Sequence, residues 1–123
     1  EGVSANGWFA NPDNIAFDPQ GRLWIATDGA PDFGIADGLY ATEIDGPGRA
    51  VPKLMYAVPM NAEMCGPCFT PDGQTLFVAV QHPAEKSETL EKATTRWPDF
   101  DEKVPPRPSV VAITREGGGE VGT

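Results

Sequence analysis

The sequence predicts an all-β, antiparallel fold, and three observations support that prediction. Gly and Pro account for 14 and 13 of the 123 residues, a share that favours turns and short strands over long helices. Short apolar segments rich in β-branched and aromatic residues alternate with these turns. The same sequence of strand, turn and strand occurs twice, which indicates a repeated β-sheet unit.

The two copies of the repeat are residues 14–28 (NIAFDPQGRLWIATD) and residues 66–81 (GPCFTPDGQTLFVAVQ). A Phe, a Pro and a Gly recur at one common spacing, as Phe17, Pro19 and Gly21 and again as Phe69, Pro71 and Gly73. Each Pro/Gly pair predicts a tight hairpin turn, because Pro presets φ and Gly accepts a positive φ. A repeat of about 40–50 residues built from short strands is typical of a β-propeller blade.

We therefore predict about one and a half four-stranded blades of a larger propeller. The first blade covers residues 12–58, and the second, incomplete blade covers residues 63–115. The strands that flank and follow the two turns are expected at 14–17, 23–28, 38–44, 50–58, 66–70, 75–81 and 109–115. Propellers close with about 4–8 blades, so the chain is expected to be a fragment whose open sheet edges favour self-association.

A polar insertion, residues 83–107, interrupts the second predicted blade. Its charged, Pro-flanked composition predicts a solvated loop with at most one or two helical turns near residues 85–92. Trp97 is the large apolar residue expected to attach this loop to the sheet.

Charge and composition exclude several classes of partner. The net charge of -9 repels nucleic acid and anionic lipid surfaces, so neither is an expected partner. The sequence contains no apolar run of 18 residues and no pattern of a secretory leader at EGVSANGWF, so it predicts no membrane span and reads as an interior or trimmed segment. One histidine, His82, is too few for a His-rich zinc site.

Residues 65–68 spell CGPC, the sequence found at the redox centre of thioredoxins. A thioredoxin begins a helix there, whereas Pro71 and Gly73 oppose a helix after Cys68. The repeat aligns Cys68 with Ala16, which predicts a core position in the first strand of the second blade. A redox function is therefore the least favoured interpretation.

Acidic and amide side chains mark the start of each predicted blade. Asp13 and Asn14 combine a carboxylate with an amide oxygen, which suits a hard cation. From the residues alone, a turn whose side chains bind their own backbone is the favoured alternative. Glu63 occupies the corresponding start of the second blade, where a surface glutamate on a connecting loop is an equally good interpretation.

Three further carboxylates, those of Asp28, Asp32 and Asp37, lie in the Gly-rich segment 28–38. Their spacing does not match an EF-hand. Asp32 and Asp37 are expected to be solvated turn residues, while Asp28, at a strand end, is a third metal-ligand candidate. His82 is expected to be structural, and no Ser-His-Asp order can be built around it.

Residues 10–115 resemble the PhoX-type alkaline phosphatases. The resemblance is carried by NPDNIAFDPQGRLWIATDG (11–29), by Glu63 followed by GPCFTPDG (66–73), and by LFV (76–78), QHP (81–83), WPD (97–99) and RPSVVAI (107–113). Members of this family are similar in the Gly-Pro-Cys-Phe segment but usually have threonine where Cys65 stands. Whether Cys65 pairs with Cys68 is open.

This resemblance implies a secreted or periplasmic bacterial phosphomonoesterase, exported by the twin-arginine route, with calcium and iron ions at the centre of a β-propeller. The chain then corresponds to the family's C-terminal part, binds a small phosphomonoester only as part of its parent, and is inactive alone. The resemblance favours Asp13 and Glu63 as metal ligands, followed by Asn14, and assigns no catalytic side chain.

Two alternatives stay open at this stage. One is a calcium-dependent lactonase on the same architecture, which also uses acidic and amide ligands at the blade starts. The other is a non-catalytic propeller segment used for binding or assembly.

Overall fold

The computed structural model describes residues 5–122, which form two antiparallel β-sheets. Sheet 1 has four strands in chain order: β1 (Pro12–Phe17), β2 (Leu23–Thr27), β3 (Gly38–Thr42) and β4 (Lys53–Ala57). Sheet 2 has three: β5 (Glu63–Phe69), β6 (Thr75–Gln81) and β7 (Ser109–Thr114). A short 3-10 helix, Ala30–Phe33, precedes β3. The all-β prediction is confirmed, and the described residues contain no helix long and apolar enough to cross a membrane.

Both predicted hairpin turns are present. The backbone N–H of Gly21 donates to the carbonyl of Asp18 at 2.9 Å, and that of Gly73 donates to the carbonyl of Thr70 at 2.8 Å. The two glycines have φ values of 82° and 67°, a region that side chains with a Cβ rarely adopt. The Pro/Gly pattern therefore predicts these turns correctly.

The first turn is stabilised by the buried carboxylate of Asp18. This group accepts hydrogen bonds from Trp24 Nε1 at 2.9 Å and from Arg22 Nε at 2.6 Å, and also from the backbone N–H of Arg22. Burial opposes ionisation, but these hydrogen bonds and the Arg22 charge outweigh it, so the pKa of Asp18 is lowered. The Arg22 guanidinium also donates to the carbonyls of Val121 and Gly122, which ties the C-terminal tail to this turn.

The core lies between the two sheets. Trp24 of β2 meets Phe69 of β5 edge to face, with ring centroids 5.1 Å apart, an arrangement that aromatic pairs favour. The buried apolar residues around this pair are Ala26, Leu39, Val58, Ala62, Met64, Leu76, Val78, Val80 and Val121. Sheet 2 contributes one face to this core, so the opposite face of β6, which carries Phe77, is exposed.

Strand β5 begins at Glu63, earlier than the predicted 66–70, and includes the whole CGPC segment. The predicted core position of Cys68 is wrong: Cys68 is exposed, and Cys65 is buried. Cys68 pairs with Phe77 across the ladder, so it lies on the face of sheet 2 that is turned away from the core. Both cysteines are free thiols.

The insertion between β6 and β7 contains turns and bends and no regular element. Trp97 packs against the core, and its Nε1 donates to Ser109 Oγ at 2.7 Å. The expected attachment of this loop by Trp97 is therefore confirmed. Among residues 5–122, no strand pairs with the outer edge of β7.

Candidate functional site

The starts of β1 and β5 lie side by side and carry the candidate site. The backbone N–H of Gly66 donates to Asn14 Oδ1 at 3.2 Å, which joins the two strands. Asn14 Nδ2 donates in turn to Asp13 Oδ2 at 3.0 Å. The Asn14 amide therefore forms one hydrogen bond that holds the neighbouring strand and a second that orients Asp13.

Three potential metal ligands converge beside this bridge. One ligand atom each from Asp13, Glu63 and Cys65 lies within 4.8 Å of the others. Asp13 is exposed, Glu63 is partly buried and Cys65 is buried. The Cys65 thiol donates to Glu63 Oε1 at 2.5 Å. Two carboxylates and one thiol thus share a single small region at the sheet edge.

Two irregularities in strand pairing lie beside these side chains. The register shifts between Pro12 and Asn14 on β1, and again between Cys65 and Cys68 on β5. A β-bulge of this kind adds an unpaired residue and re-aims the side chains beside it. Gly66, inside the second shift, has a φ of 59°, which glycine accepts without a Cβ penalty.

The site concentrates negative charge. Burial raises the pKa of Asp28, and the charges of nearby carboxylates, with Glu63 the strongest, raise it further. Burial, together with the hydrogen bond to Glu63, raises the pKa of the Cys65 thiol to about 12, against an opposing hydrogen bond from Gln81. Both shifts show that an added negative charge is unfavourable here, and a bound cation reverses that effect.

Asp28 lies near the three-residue cluster but outside it. It lines a cleft of about 20 Å³ together with Glu63, Glu85 and Lys86. A space of that size holds roughly one water molecule or small ion. Glu63 is common to the cleft and the cluster, so Asp28 is a neighbour of the site and not one of its closest ligand atoms.

The expectation that Asp37 is a solvated turn residue is wrong. Asp37 is 2% exposed and accepts hydrogen bonds from Thr27 Oγ1 at 2.7 Å and from the backbone N–H groups of Gly29 and Ala30. The loop turns inward here, so its N–H groups need a protein acceptor in place of water. Asp37 thereby holds the loop that carries Asp28. Asp32 is exposed, as expected, and pairs with Lys86.

His82 lies at the rim of the site. Its Nε2 is 3.7 Å from Glu63 Oε2, and its side chain is half exposed. This distance allows an electrostatic contact with Glu63 but is longer than a hydrogen bond. The imidazole does not belong to the cluster of three.

Sequence reasoning missed Cys65 as a potential ligand. Residues two apart in a regular strand share one face, so Glu63 and Cys65 at the start of a predicted strand were a usable signal. Because β5 begins at Glu63, both residues lie in one strand, and the two-residue spacing places their side chains on the same face.

The donor set fits a metal ion. Carboxylate oxygens suit calcium and also bind iron, whereas a thiol suits transition metals and is not a calcium ligand. Asp13 and Glu63 together fit either kind of ion. Cys65 fits only the second.

Comparisons with known proteins identify the family of the chain. The family model described as alkaline phosphatase PhoX matches residues 1–84. The chain is similar to the structure of Pseudomonas fluorescens PhoX in complex with vanadate, a transition state analogue, with 33% identity and a TM-score of 0.80. That match covers 98% of this chain, and this chain spans 20% of the length of that protein. No curated protein sequence matches significantly. The chain belongs to the alkaline phosphatase PhoX family.

Proposed function

We propose that this chain is part of a secreted or periplasmic metal-dependent phosphomonoesterase and that Asp13 and Glu63 bind its calcium and iron centre. The observation that carries the proposal is the convergence of these two carboxylates, from two different sheets, within 4.8 Å. They converge in a chain of a phosphatase family. An isolated pair of carboxylates so close together is unfavourable, and a shared cation removes that cost.

Each residue has a distinct part in this proposal. Asp13 is exposed and reaches the ion from the solvent side, while Glu63 reaches it from the sheet. Asn14 orients Asp13 through the 3.0 Å hydrogen bond. Asp28 adds negative charge near Glu63 and so favours cation binding from a short distance.

The substrate class follows from the same charges. A phosphomonoester is anionic, and a surface with a net charge of -9 repels it. Bound cations neutralise phosphate oxygens and stabilise the charge that develops in the transition state. The carboxylates of this chain therefore act by holding positive charge where the phosphate binds.

We also propose that the two sheets are neighbouring blades of a propeller. The support is the way each sheet uses its faces. Trp24 points from sheet 1 into the core, whereas Phe77, its counterpart in the repeat, points away from sheet 1 and is 39% exposed. Sheets that each present the same face to the next unit stack head to tail, as propeller blades do.

The proposal predicts that the 123-residue chain alone does not hydrolyse phosphate esters. It spans 20% of the length of the related structure, and the centre needs ligands that the chain does not supply. Metal-dependent turnover by the isolated chain contradicts this expectation.

The test is an assay of the full-length parent with p-nitrophenyl phosphate and a gluconolactone side by side. Glu63→Gln is expected to lower phosphate ester hydrolysis by about 100-fold or more, the scale of losing a charge-stabilising group. Glu102→Gln, in the exposed insertion, is the matched control and should leave it unchanged. Hydrolysis of the lactone alone, or equal activity in both variants, overturns the proposal.

A further inference from the structure

We propose that Cys65 is a metal ligand of this site and that its sulfur makes the site selective for a thiophilic transition metal over calcium. The inference rests on the metal site proposed above and adds a third ligand from this chain, which determines which kind of ion that ligand set holds. It concerns a residue for which the sequence left open only whether it pairs with Cys68.

The placement of the sulfur supports a ligand role. Cys65 Sγ lies within 4.8 Å of carboxylate oxygens from both Asp13 and Glu63. Cys65 is 8% exposed, while Asp13 and Glu63 are more accessible. An ion that enters from solvent therefore meets two oxygens first and the sulfur at the base of the site.

A second observation, independent of the cluster, points to a metal. The family model matches a stretch that contains all three residues, and the family is one of metal-dependent phosphatases. The related structure covers nearly the whole chain at 33% identity. The cluster thus lies in a segment shared with metalloenzymes.

The ligand chemistry sets the selectivity. Calcium binds six to eight oxygen ligands, and sulfur does not replace them. Two carboxylates and a thiolate suit iron, zinc or cobalt. Metal binding exchanges the S–H···O bond between Cys65 and Glu63 for metal–sulfur and metal–oxygen bonds, and the thiol proton is released to solvent.

A purely structural role makes a different prediction. If the thiol only donates its hydrogen bond to Glu63, the sulfur stays unligated when metal binds. A serine at position 65 then preserves both the hydrogen bond and the metal affinity. Cys68, three residues away and exposed, is the matched control because it lies outside the cluster.

The first test uses the metal-stripped, reduced 123-residue chain titrated with Co²⁺. The wild type and Cys68→Ser should develop a sulfur-to-cobalt charge-transfer band in the near ultraviolet, and excess Ca²⁺ should not remove it. Cys65→Ser should lose the band and bind cobalt about tenfold or more weakly, the scale of disrupting a metal site. A band that survives in Cys65→Ser but disappears in Cys68→Ser overturns the proposal, as does displacement of cobalt by calcium.

The second test uses the full-length parent, so that the outcome does not depend on the folding of the short chain. Elemental analysis should find less transition metal per chain in Cys65→Ser than in Cys68→Ser, with equal calcium. Equal transition-metal content in the two variants overturns the proposal whatever the short chain does. Phosphate ester hydrolysis is measured separately, so that a parent with sulfur-bound metal and no such activity contradicts only the proposed function.

Discussion

The backbone N–H of Gly66 donates a hydrogen bond to the side-chain oxygen of Asn14 at 3.2 Å, across the 52 positions that separate the two repeats. This bond joins the first strands of the two sheets at the place where Asp13, Glu63 and Cys65 converge. The sequence repeat and the candidate metal site therefore share one structural connection.

Replacing Asn14 tests that connection. Asn14→Ala removes the acceptor for Gly66 and the donor to Asp13. We expect a loss of about 1 kcal/mol in the free energy of unfolding, the usual contribution of one hydrogen bond, measured by urea denaturation. Cobalt affinity should also fall because Asp13 is no longer oriented. Unchanged stability and unchanged affinity contradict the connecting role.

The two cysteines should differ sharply in reactivity. Only the thiolate is nucleophilic, and the pKa of Cys65 is raised to about 12 by burial and by Glu63. Iodoacetamide at about pH 8 should modify exposed Cys68 in the folded, metal-free chain and should reach Cys65 only after unfolding. Peptide mass spectrometry measures both sites. Equal labelling of the two cysteines contradicts the burial and hydrogen bonding of Cys65.

The raised pKa of Cys65 also affects the stability of the fold at high pH. The folded-state pKa of Cys65 lies above its ordinary value of 9.0, so the folded state retains the proton more tightly. The stability that Cys65 contributes is complete below about pH 9 and is lost as the pH rises towards about 12. Cys65→Ser should show less loss of stability over that range.

Asp18 should govern stability at low pH. Its pKa is lowered from 3.8, so its contribution is present above that pH and is lost as the pH falls through the folded-state value. Asp18→Asn should cost about 2–3 kcal/mol at neutral pH, because a buried charged acceptor is lost. The difference from wild type should shrink below about pH 4.

Asp72→Asn is the control for this prediction, because Asp72 is an exposed carboxylate in the second hairpin turn. Chemical denaturation across pH measures both variants. A loss as large in Asp72→Asn as in Asp18→Asn would show that the buried network is not the cause.

The isolated chain should associate head to tail. The Trp24–Phe69 contact closes the interface between the sheets, and the repeat counterparts of these two residues, Phe77 and Phe17, are 39% and 58% exposed. Phe77 of one copy can therefore meet Phe17 of the next, a heterologous contact. The unpaired edge of β7 adds a second route to association.

Sedimentation velocity over a range of concentrations tests this expectation. Phe17→Ser and Phe77→Ser should each lower the average mass. Phe33→Ser is the control, since Phe33 is also exposed, at 66%, but lies in the 3-10 helix. A strictly monomeric wild type at every concentration refutes head-to-tail association.

The strands and turns were predictable because their causes are local. Pro19 and Gly21 specify the first turn through φ preferences, and the alternating segments on either side specify strands. The burial of individual side chains was less predictable, because it depends on which face of each strand packs against another part of the folded chain. Cys68 is exposed because its ladder partner Phe77 is on the outer face, and Asp37 is buried because its loop needs an acceptor.

The candidate site was predictable only in part. Asp13 and Glu63 stand at corresponding starts of the repeat, so their approach follows from the repeat. Cys65 lies two residues after Glu63 on the same face of β5, so it joins them because β5 begins at Glu63 and not at residue 66. Asp13 lies beside a register shift between Pro12 and Asn14 on β1, and such a shift depends on pairing between distant segments.

The role of Asp13 and Glu63 as metal ligands is tested by the metal content and the phosphate ester turnover of the full-length parent that carries Asp13→Asn together with Glu63→Gln. Glu102→Gln serves as the control. We expect that the double variant stays folded by circular dichroism, contains less metal per chain than the control and loses about 100-fold or more of its turnover of p-nitrophenyl phosphate. A folded double variant with the metal content and turnover of the control would contradict the claim that these two carboxylates bind the metal centre.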